Sequence, residues 1–158
     1  MAKIWSAESS VCLRTLAGHR GFVNSAVFSS DGLEVVTAST DRTVKLWSRH
    51  SGECLRTLVE AHESYIISAV FSRDARKVLT AADDCMAKIW CAGTGECLRV
   101  LEGHQSFMRS AVFSPDGHEV LTASDDCTAK IWCVGSGKCL RTLEGHRSSI
   151  CSAAFSLT

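Results

Sequence analysis

The sequence predicts an all-β protein built from repeated four-stranded sheets, because several residue types recur with one period. Four tryptophans follow one another at intervals of 42, 43 and 42 residues: Trp5, Trp47, Trp90 and Trp132. Four histidines recur at intervals of 43, 42 and 42 residues: His19, His62, His104 and His146. The tripeptide Cys-Leu-Arg and the pentapeptide Ser-Ala-Val-Phe-Ser (Ser-Ala-Ala-Phe-Ser in its last copy) keep the same spacing. A fixed period of this length indicates a repeat architecture.

Each period contains four short strand signals separated by turn sequences. In the first complete unit the strand signals lie near residues 22–29, 33–38, 43–47 and 53–58, with Asp-Gly, Thr-Asp and Ser-Gly pairs between them. Such pairs are typical of turns between strands. The first strand is apolar on both faces, which favours an inner position between neighbouring sheets. The fourth strand contains an arginine in every unit, which favours a solvated outer edge.

The period divides the whole chain, residues 1–158, into three complete units and a partial unit at each end. Residues 1–16 correspond to the third and fourth strands of a unit. Residues 17–59, 60–101 and 102–143 are the three complete units. Residues 144–158 correspond to the first strand of a further unit. The chain is therefore predicted to hold about three and three-quarter repeats of one sheet.

Composition and charge exclude several classes of protein. The 158 residues include 17 basic and 17 acidic residues, and this balance argues against nucleic acid or an anionic membrane as a partner. No apolar run approaches the length of a membrane span, so no membrane insertion is expected. The first residues show no signal-peptide pattern. With nine cysteines, an odd number, the sequence favours reduced thiols and an intracellular, cytoplasmic location.

The chain resembles the WD-repeat β-propeller family in its period, its strand count and its paired signatures. Each unit has a histidine preceded by glycine, or by Ala61 in the second unit, and leads to Lys-Ile-Trp or Lys-Leu-Trp. The resemblance covers essentially the whole chain. One departure is general, because the residue after tryptophan is serine or cysteine and never the family's usual aspartate. The resemblance implies a β-propeller whose four-stranded blades are arranged around an axis.

Each complete unit contains a histidine, a threonine, an aspartate and a tryptophan that could form a network. The sets are His19, Thr37, Asp41 and Trp47; His62, Thr80, Asp84 and Trp90; and His104, Thr122, Asp126 and Trp132. Histidine, hydroxyl and carboxylate together also suggest a catalytic triad. Three near-identical copies favour a structural role instead. The resemblance implies that the aspartate accepts from the histidine ring, the hydroxyl bridges, and the indole N–H completes the network.

No other motif predicts a catalytic site, a metal site or a cofactor. Gly135-Ser136-Gly137-Lys138 looks like part of a phosphate loop, but its counterparts in the other units identify it as a hairpin turn. The cysteines form no Cys-x-x-Cys pair, and small buried thiols between the blades are a better explanation of them than metal ligands. We therefore expect no metal, no cofactor and no small-molecule substrate.

Comparison of the units with one another predicts a face that binds partner proteins. Positions that differ between otherwise similar units are not needed for the blade itself. They comprise two positions of the first strand and the residue before the turn aspartate: Phe22, Asn24, Thr40, Tyr65, Ile67, Asp83, Phe107, Arg109 and Asp125. The resemblance implies that these positions lie on the face that receives peptides and proteins. The alternative is that the aromatic rings pack between blades.

The partial units at the two ends predict that another polypeptide completes the ring. Propellers typically close with four to eight blades, and an open arc would expose apolar faces and unpaired edges. Two chains joined end to end, as a homodimer, would give about eight blades. In the alternatives, a different protein completes the ring or the sequence is a segment of a longer chain.

These observations favour a non-catalytic scaffold or adaptor that presents a rigid propeller face to partner proteins. The alternative is an architectural subunit that fills or stabilises a large assembly through its edges and sides. An enzyme is the least favoured class, since no unrepeated nucleophile, metal cluster or phosphate loop supports it.

Overall fold

The computed structural model describes residues 1–59 and 61–156, which form fourteen strands and no helix. The strands are β1 (Ala2–Trp5), β2 (Cys12–Leu16), β3 (Val23–Phe28), β4 (Glu34–Ser39), β5 (Val44–Ser48), β6 (Cys54–Leu58), β7 (Ile66–Phe71), β8 (Lys77–Ala82), β9 (Met86–Cys91), β10 (Cys97–Glu102), β11 (Met108–Phe113), β12 (Glu119–Ser124), β13 (Ala129–Cys133) and β14 (Cys139–Leu143). The prediction of an all-β fold is confirmed. The first position of the predicted unit 60–101 and the last two of 144–158 lie outside the described residues.

The strands form three four-stranded antiparallel sheets and one two-stranded sheet. Sheet 1 has the order β3-β4-β5-β6, sheet 2 the order β7-β8-β9-β10, and sheet 3 the order β11-β12-β13-β14. The two-stranded sheet pairs β1 with β2. Neighbours in each sheet are consecutive in sequence because only short turns connect them, as in a β-meander. The inner strands β3, β7 and β11 contact one another or the next sheet, so the sheets stand side by side as blades.

The core lies between the faces of adjacent sheets rather than within a single sheet. The second strand of each blade is buried over most of its length: β4, β8 and β12. Between sheets 1 and 2, Val36 and Leu46 pack against Ile66 and Ala69. Equivalent clusters join the two-stranded sheet to sheet 1 and sheet 2 to sheet 3. Each blade therefore depends on its neighbours for the burial of its apolar residues.

The first strand of each complete sheet contains a β-bulge near its start. The register of β3 and β4 shifts between Val23 and Ser25, so Asn24 is an extra residue. The same shift leaves Ile67 extra in β7 and Arg109 extra in β11. Because a bulge changes the direction of the extra side chain, these three residues differ in setting from the regular ladder around them.

Ile150, Ala153 and Phe155 pack against sheet 3, and residues 146–156 form no strand. The Ile150 N–H donates to the Ser124 carbonyl at 3.0 Å, and the Ile150 side chain packs against Leu121, Ala123 and Ala129. Ile150 thus occupies the place that Met108 has against sheet 2. The interpretation of 144–158 as the first strand of a further blade stays a prediction.

The prediction that the cysteines are small buried thiols between the blades is wrong. All nine are free, and each is exposed or only partly buried. Cys85 and Cys127 lie at turns with φ of 68° and 66°, where the chain reverses after the turn aspartate, instead of in the core. Of the cysteines in the fourth strands, Cys54, Cys97 and Cys139 are exposed and Cys12 is partly buried. Their repetition reflects the repeat of the surface positions and not the packing between blades.

Candidate functional site

A hydrogen-bonded network of four side chains joins the strands of sheet 1 at one end. The His19 Nδ1 lies 2.9 Å from the Asp41 carboxylate, and its Nε2 lies 2.7 Å from the Thr37 hydroxyl. The Trp47 indole N–H donates to the same hydroxyl at 2.8 Å. A carboxylate only accepts, so His19 is protonated on Nδ1 and its Nε2 accepts from Thr37. Each group therefore donates to the next: tryptophan to threonine, threonine to histidine, and histidine to aspartate.

The same network is present in sheets 2 and 3. In sheet 2, His62 lies 2.7 Å from both Asp84 and Thr80, and Trp90 donates to Thr80 at 3.0 Å. In sheet 3 the corresponding distances are 2.7, 2.8 and 2.9 Å, among the side chains of His104, Asp126, Thr122 and Trp132. The three threonines are fully buried. A substrate cannot reach a hydroxyl that is fully buried. The geometry therefore suits stabilisation of the turns better than nucleophilic attack.

The turn aspartates also accept hydrogen bonds from the backbone, which holds them ionised. Asp41 accepts from the Arg20 N–H at 2.8 Å and from the Thr43 hydroxyl at 2.6 Å. Burial acts to raise the pKa of Asp41, but these bonds and the one from His19 outweigh it and lower the pKa below its ordinary value. Burial lowers the pKa of His19 in turn, and the bond to Asp41 opposes this only in part. The contact between Asp41 and His19 is thus a hydrogen bond between a carboxylate and a neutral imidazole ring.

The hydroxyl of Thr43 is a member of the network that the sequence comparison did not single out. It and its counterpart Thr128 donate to the turn aspartates at 2.6 and 2.7 Å. In sheet 2 the same position is Met86, which offers only its backbone N–H to Asp84 at 3.1 Å. This hydroxyl could have been found in the sequence, because it lies two positions after the turn aspartate. It was missed because the second unit has methionine at that position.

The aromatic residues predicted to bind partners lie beside the turn aspartates, at the same end of the three sheets. Phe22, Tyr65 and Phe107 are 83%, 55% and 48% exposed. The carbonyl of each accepts a hydrogen bond of 2.9 to 3.0 Å from the backbone N–H of the residue before the turn aspartate: Thr40, Asp83 and Asp125, respectively. We call these six residues, with the bulge residues Asn24, Ile67 and Arg109, the rim.

The bulge residues and the acidic residues of the rim form a charged group beside the aromatic rings. Arg109 makes a bidentate ion pair with Asp125, with its Nε 2.8 Å from Oδ1. Asp83 lies close enough to interact electrostatically with both Arg109 and Asp125. Its buried Oδ1 accepts no hydrogen bond within the described residues. Burial raises the pKa of Asp83, although Arg109 acts in the opposite direction. The unsatisfied oxygen is buried, so it adds a free-energy cost within this chain, whereas the carboxyl group as a whole is partly exposed beside Tyr65.

The other rim residues differ in what they contact. The Thr40 hydroxyl accepts from the Phe22 N–H at 2.8 Å, and this bond holds the loop before β3. The Asn24 side-chain amide donates to the Ile66 carbonyl at 2.9 Å and so links sheet 1 to sheet 2. Ile67 is partly buried between its neighbours. Thr40, Asn24 and Ile67 therefore have structural contacts of their own, whereas the three aromatic rings and Arg109 are open to solvent.

Comparison with known protein families assigns the repeats. The family model described as WD domain, G-beta repeat matches residues 10–48, 52–91, 95–133 and 137–158. The chain belongs to the WD40 repeat family. The predicted fold class, a WD-repeat β-propeller, is thereby confirmed together with the resemblance on which it rested. WD40 proteins are in general non-catalytic and bind protein partners, so the family also supports the coarse prediction of an interaction module.

Several curated proteins and solved structures are similar to this WD40 chain. Nuclear distribution protein nudF 1 of Talaromyces marneffei is 38% identical over 61 residues, which are 38% of this chain and 13% of that protein. Nuclear distribution protein PAC1 of Arthroderma benhamiae is 37% identical over 62 residues, 39% of this chain and 13% of the relative. The chain thus spans only 13% of the length of these relatives.

The solved structures extend the likeness over more of the chain. The WD40 repeats of RRP9 superpose with a TM-score of 0.81 and 25% identity, over 85% of this chain and 42% of that one. The structure of U3-55K gives a TM-score of 0.81 at 24% identity over the same shares, a likeness of fold alone. Among the described residues, no group of histidine, cysteine and acidic side chains is arranged to hold a metal, and no helix could cross a membrane.

Proposed function

We propose that this WD40 chain is a non-catalytic scaffold that binds a partner protein through its rim. The observation that supports the proposal most directly is that three successive blades expose an aromatic ring at the same position, those of Phe22, Tyr65 and Phe107. Aromatic and arginine side chains dominate the energetics of protein interfaces. Because the blades are held to one another through their cores, the rim offers these groups at fixed separations, so little conformational entropy is lost on binding.

The chemistry of the rim favours a partner segment that brings a basic group and an apolar side chain. The Asp83 side chain is partly exposed, and Arg109 beside it is already neutralised by Asp125. A lysine or arginine of the partner would pair with the exposed part of the Asp83 carboxylate and stack on Tyr65 or Phe107. The flanking aromatic rings would then exclude water from that contact.

Affinity capture with quantitative mass spectrometry tests the proposal. The intact chain is compared with a double variant, Tyr65→Ala with Arg109→Ala, and with Leu33→Ala as a matched control. Leu33 is also an exposed apolar residue but lies at the opposite end of sheet 1. We expect partners to be lost from the double variant and kept by the control, with no change in melting temperature. Retained partners, or a large fall in melting temperature, would show that these residues serve packing instead.

An architectural subunit is a second candidate function, favoured by exposed apolar residues on the outer strands, among them Leu13, Leu55 and Leu140. In that case the strand edges and outer faces, rather than the rim, would contact the rest of an assembly. Cross-linking of the captured complexes distinguishes the two functions, because the cross-linked residues would lie next to the rim for an adaptor and along β1 or β14 for a structural subunit.

We further propose an intracellular, cytoplasmic location and no catalytic activity for this chain. Nine free thiols, several of them exposed, suit a reducing compartment. The buried threonine hydroxyls of the three networks are closed to substrates, which leaves those histidines and aspartates with a structural task. A localisation experiment with a fluorescent fusion that placed the protein outside the cell would contradict the first statement.

A further inference from the structure

A groove of about 660 Å³ lies between sheets 2 and 3. The turn between β7 and β8 forms one side of it, and the turns after β11 and β13 form the other. Strands β7 and β8 run from the rim at one end of the blade to this groove at the other, so the two surfaces are separate. Both sheets have all four strands, and a cleft of this size between them is large enough to receive a ligand.

Part of the lining of the groove is apolar. Ile89 and Val134 are buried beneath it, and Leu98 of the outer strand β10 borders it and is 36% exposed. Leu98 is the extra residue of a β-bulge, because the register of β9 and β10 shifts between Cys97 and Arg99. An apolar lining with an exposed leucine at its edge provides a place for an apolar side chain of another molecule.

Two basic side chains of the groove lack a partner in the described part of the chain. The backbone carbonyl of Arg73 accepts from the Ser30 hydroxyl at 2.6 Å, but its guanidinium makes no hydrogen bond or ion pair with a described residue. Lys77 is partly buried, and its ammonium group also lacks such a bond, although it interacts electrostatically with Asp74. A carboxylate from another molecule would give these two cations the charge-assisted hydrogen bonds that they lack.

The two aspartates of the groove are bonded within their own turns. Asp74 and Asp116 each accept a hydrogen bond of 2.6 Å from the serine hydroxyl two positions earlier, and one of 3.1 or 3.0 Å from the backbone N–H two positions later. These bonds lower the pKa of both carboxyl groups, so both are ionised. Apart from a histidine, the cations of the groove are Arg73, Lys77 and Arg99. Three cations and two carboxylates leave one positive charge without a counter-charge.

The basic residues are specific to this groove, as comparison of the three complete units shows. The positions of Arg73 and Lys77 are occupied in the other two units by Ser30 and Glu34, and by Pro115 and Glu119. A four-stranded blade therefore forms without a cation at either position. A requirement of the blade itself does not explain Arg73 and Lys77, whereas a ligand of the groove does.

The equivalent space between sheets 1 and 2 is smaller, at about 350 Å³. There Arg56 of the outer strand donates to the carbonyls of three successive residues, 92–94, and so covers the turn of the next sheet. Arg99, its counterpart between sheets 2 and 3, reaches only the Gly135 carbonyl of the next sheet, at 2.8 Å from its Nε. The turn beside Arg99 is therefore covered less completely, which leaves the larger groove open.

From the lining and the charge of this groove we propose that it binds an acidic segment of a partner protein, in which an aspartate or glutamate lies next to an apolar residue. The carboxylate pairs with Arg73 and Lys77, and the apolar side chain packs on Leu98 and Val134. One carboxylate balances the one positive charge of the groove. Because the rim favours a basic segment, the two ends of the blades select partners of opposite charge.

Selection from a library of random dodecapeptides displayed on phage tests the proposal. Peptides that bind the intact chain are passed over a double variant, Arg73→Ser with Lys77→Glu, which has the residues of sheet 1 at these two positions. Peptides that bind the original chain but not the double variant should contain an acidic residue next to an apolar one. Circular dichroism verifies that the variant is folded.

Fluorescence anisotropy with the most enriched peptide then measures the contribution of the groove. The dissociation constant should rise about tenfold or more in the double variant and about fivefold in Lys77→Gln. Arg76→Gln is the matched control, because it also removes one cation from the turn between β7 and β8 but lines the space between sheets 1 and 2. This control should change the dissociation constant by less than about twofold.

Three outcomes would overturn the proposal. The first is a selection that yields no peptide specific for the original chain, or only peptides without acidic residues. The second is equal binding by Lys77→Gln and the original chain. The third is displacement of the peptide by inorganic phosphate beyond the effect of sodium chloride at equal ionic strength, which would identify a phosphate site instead. The rim variant Tyr65→Ala with Arg109→Ala should bind the peptide as the original chain does, so the two binding proposals can fail independently.

Discussion

Trp47 donates its indole N–H to the hydroxyl of Thr37 at 2.8 Å, and both side chains are buried. The tryptophan therefore has two tasks at once. Its N–H completes the polar network of its own sheet, and its ring fills the junction with the preceding sheet. Polar satisfaction within a blade and apolar packing between blades are thus linked through one side chain.

Replacement of Asp84 by alanine is expected to destabilise the chain by about 1–3 kcal/mol, because it leaves several donors without an acceptor. The donors are His62 at 2.7 Å and the N–H groups of Glu63 and Met86, each at 3.1 Å. Urea unfolding measures the change in the free energy of unfolding. Glu53→Ala, which removes an exposed carboxylate, serves as the control. An unchanged midpoint for Asp84→Ala would contradict the stabilising role of the network.

Trp47→Phe should destabilise the chain by about 1–3 kcal/mol, because the smaller ring leaves a cavity at the junction and removes the donor to Thr37. The same substitution at Trp5 should change the free energy of unfolding by less than about 0.5 kcal/mol, since Trp5 is largely exposed. Both variants are compared by thermal unfolding at the same protein concentration. Equal effects at the two positions would show that burial of the tryptophan is not the source of its contribution.

Stability is expected to fall in mild acid because of the buried histidines. Burial lowers the pKa of His19 and His104 below the ordinary value of 6.5, and the bonds to Asp41 and Asp126 oppose this only in part. The unfolded chain therefore binds protons first as the pH falls. The stabilising free energy from these neutral rings is complete above pH 6.5 and is lost as the pH falls through the lowered pKa.

A second loss is expected at lower pH, because the pKa values of Asp41 and Asp126 are held below 3.8 in the folded chain. Urea unfolding at a series of pH values measures both windows. His104→Gln should reduce the slope of stability against pH below pH 6.5, because it removes a group whose pKa is lowered on folding. A slope equal to that of the original chain would refute the assignment.

The arginines of the outer strands should differ in their contribution to stability. Arg56→Ala removes the hydrogen bonds to the carbonyls of Ala92, Gly93 and Thr94 in the next sheet, and we expect a loss of about 1 kcal/mol. Arg141→Ala removes no side-chain hydrogen bond found among the described residues and should be neutral. Chemical unfolding of the two variants in parallel provides the comparison, and a neutral Arg56→Ala would show that solvent replaces these bonds without cost.

The strands could be predicted from the sequence because the repeat places the same turn chemistry at the same positions. Residues 33–38 were expected as a strand, and β4 covers Glu34–Ser39; residues 53–58 were expected as another, and β6 covers Cys54–Leu58. Pairing of consecutive strands then follows from the short turns. Register irregularities do not follow, because the bulges at Asn24, Ile67 and Arg109 depend on which residues face each other across two strands.

The cysteines show why residue type alone was misleading about burial. A thiol is apolar enough to fill a core, and eight cysteines at repeated positions suggested that task. The structure instead places Cys85 and Cys127 at turn positions with positive φ, and Arg42 occupies the equivalent place in sheet 1 with φ of 66°. A position that accepts arginine in one unit cannot be a core position in another. Comparison across the units at that position could have excluded the buried location.

Each complete junction places a leucine of one sheet and a tryptophan of the next in one buried cluster, as it does Leu16 and Trp47, and this has a consequence for how such a chain can grow. In every unit the leucine faces the next sheet along the chain and the tryptophan faces the preceding one. Duplication of one full period therefore adds both residues in the correct order, wherever the duplication starts. The added segment meets old neighbours through surfaces that they already possess, so no compensating substitution is required. Insertion or deletion of whole periods therefore preserves the packing between sheets. A change by a fraction of a period leaves a leucine or a tryptophan without its packing partner at the altered junction.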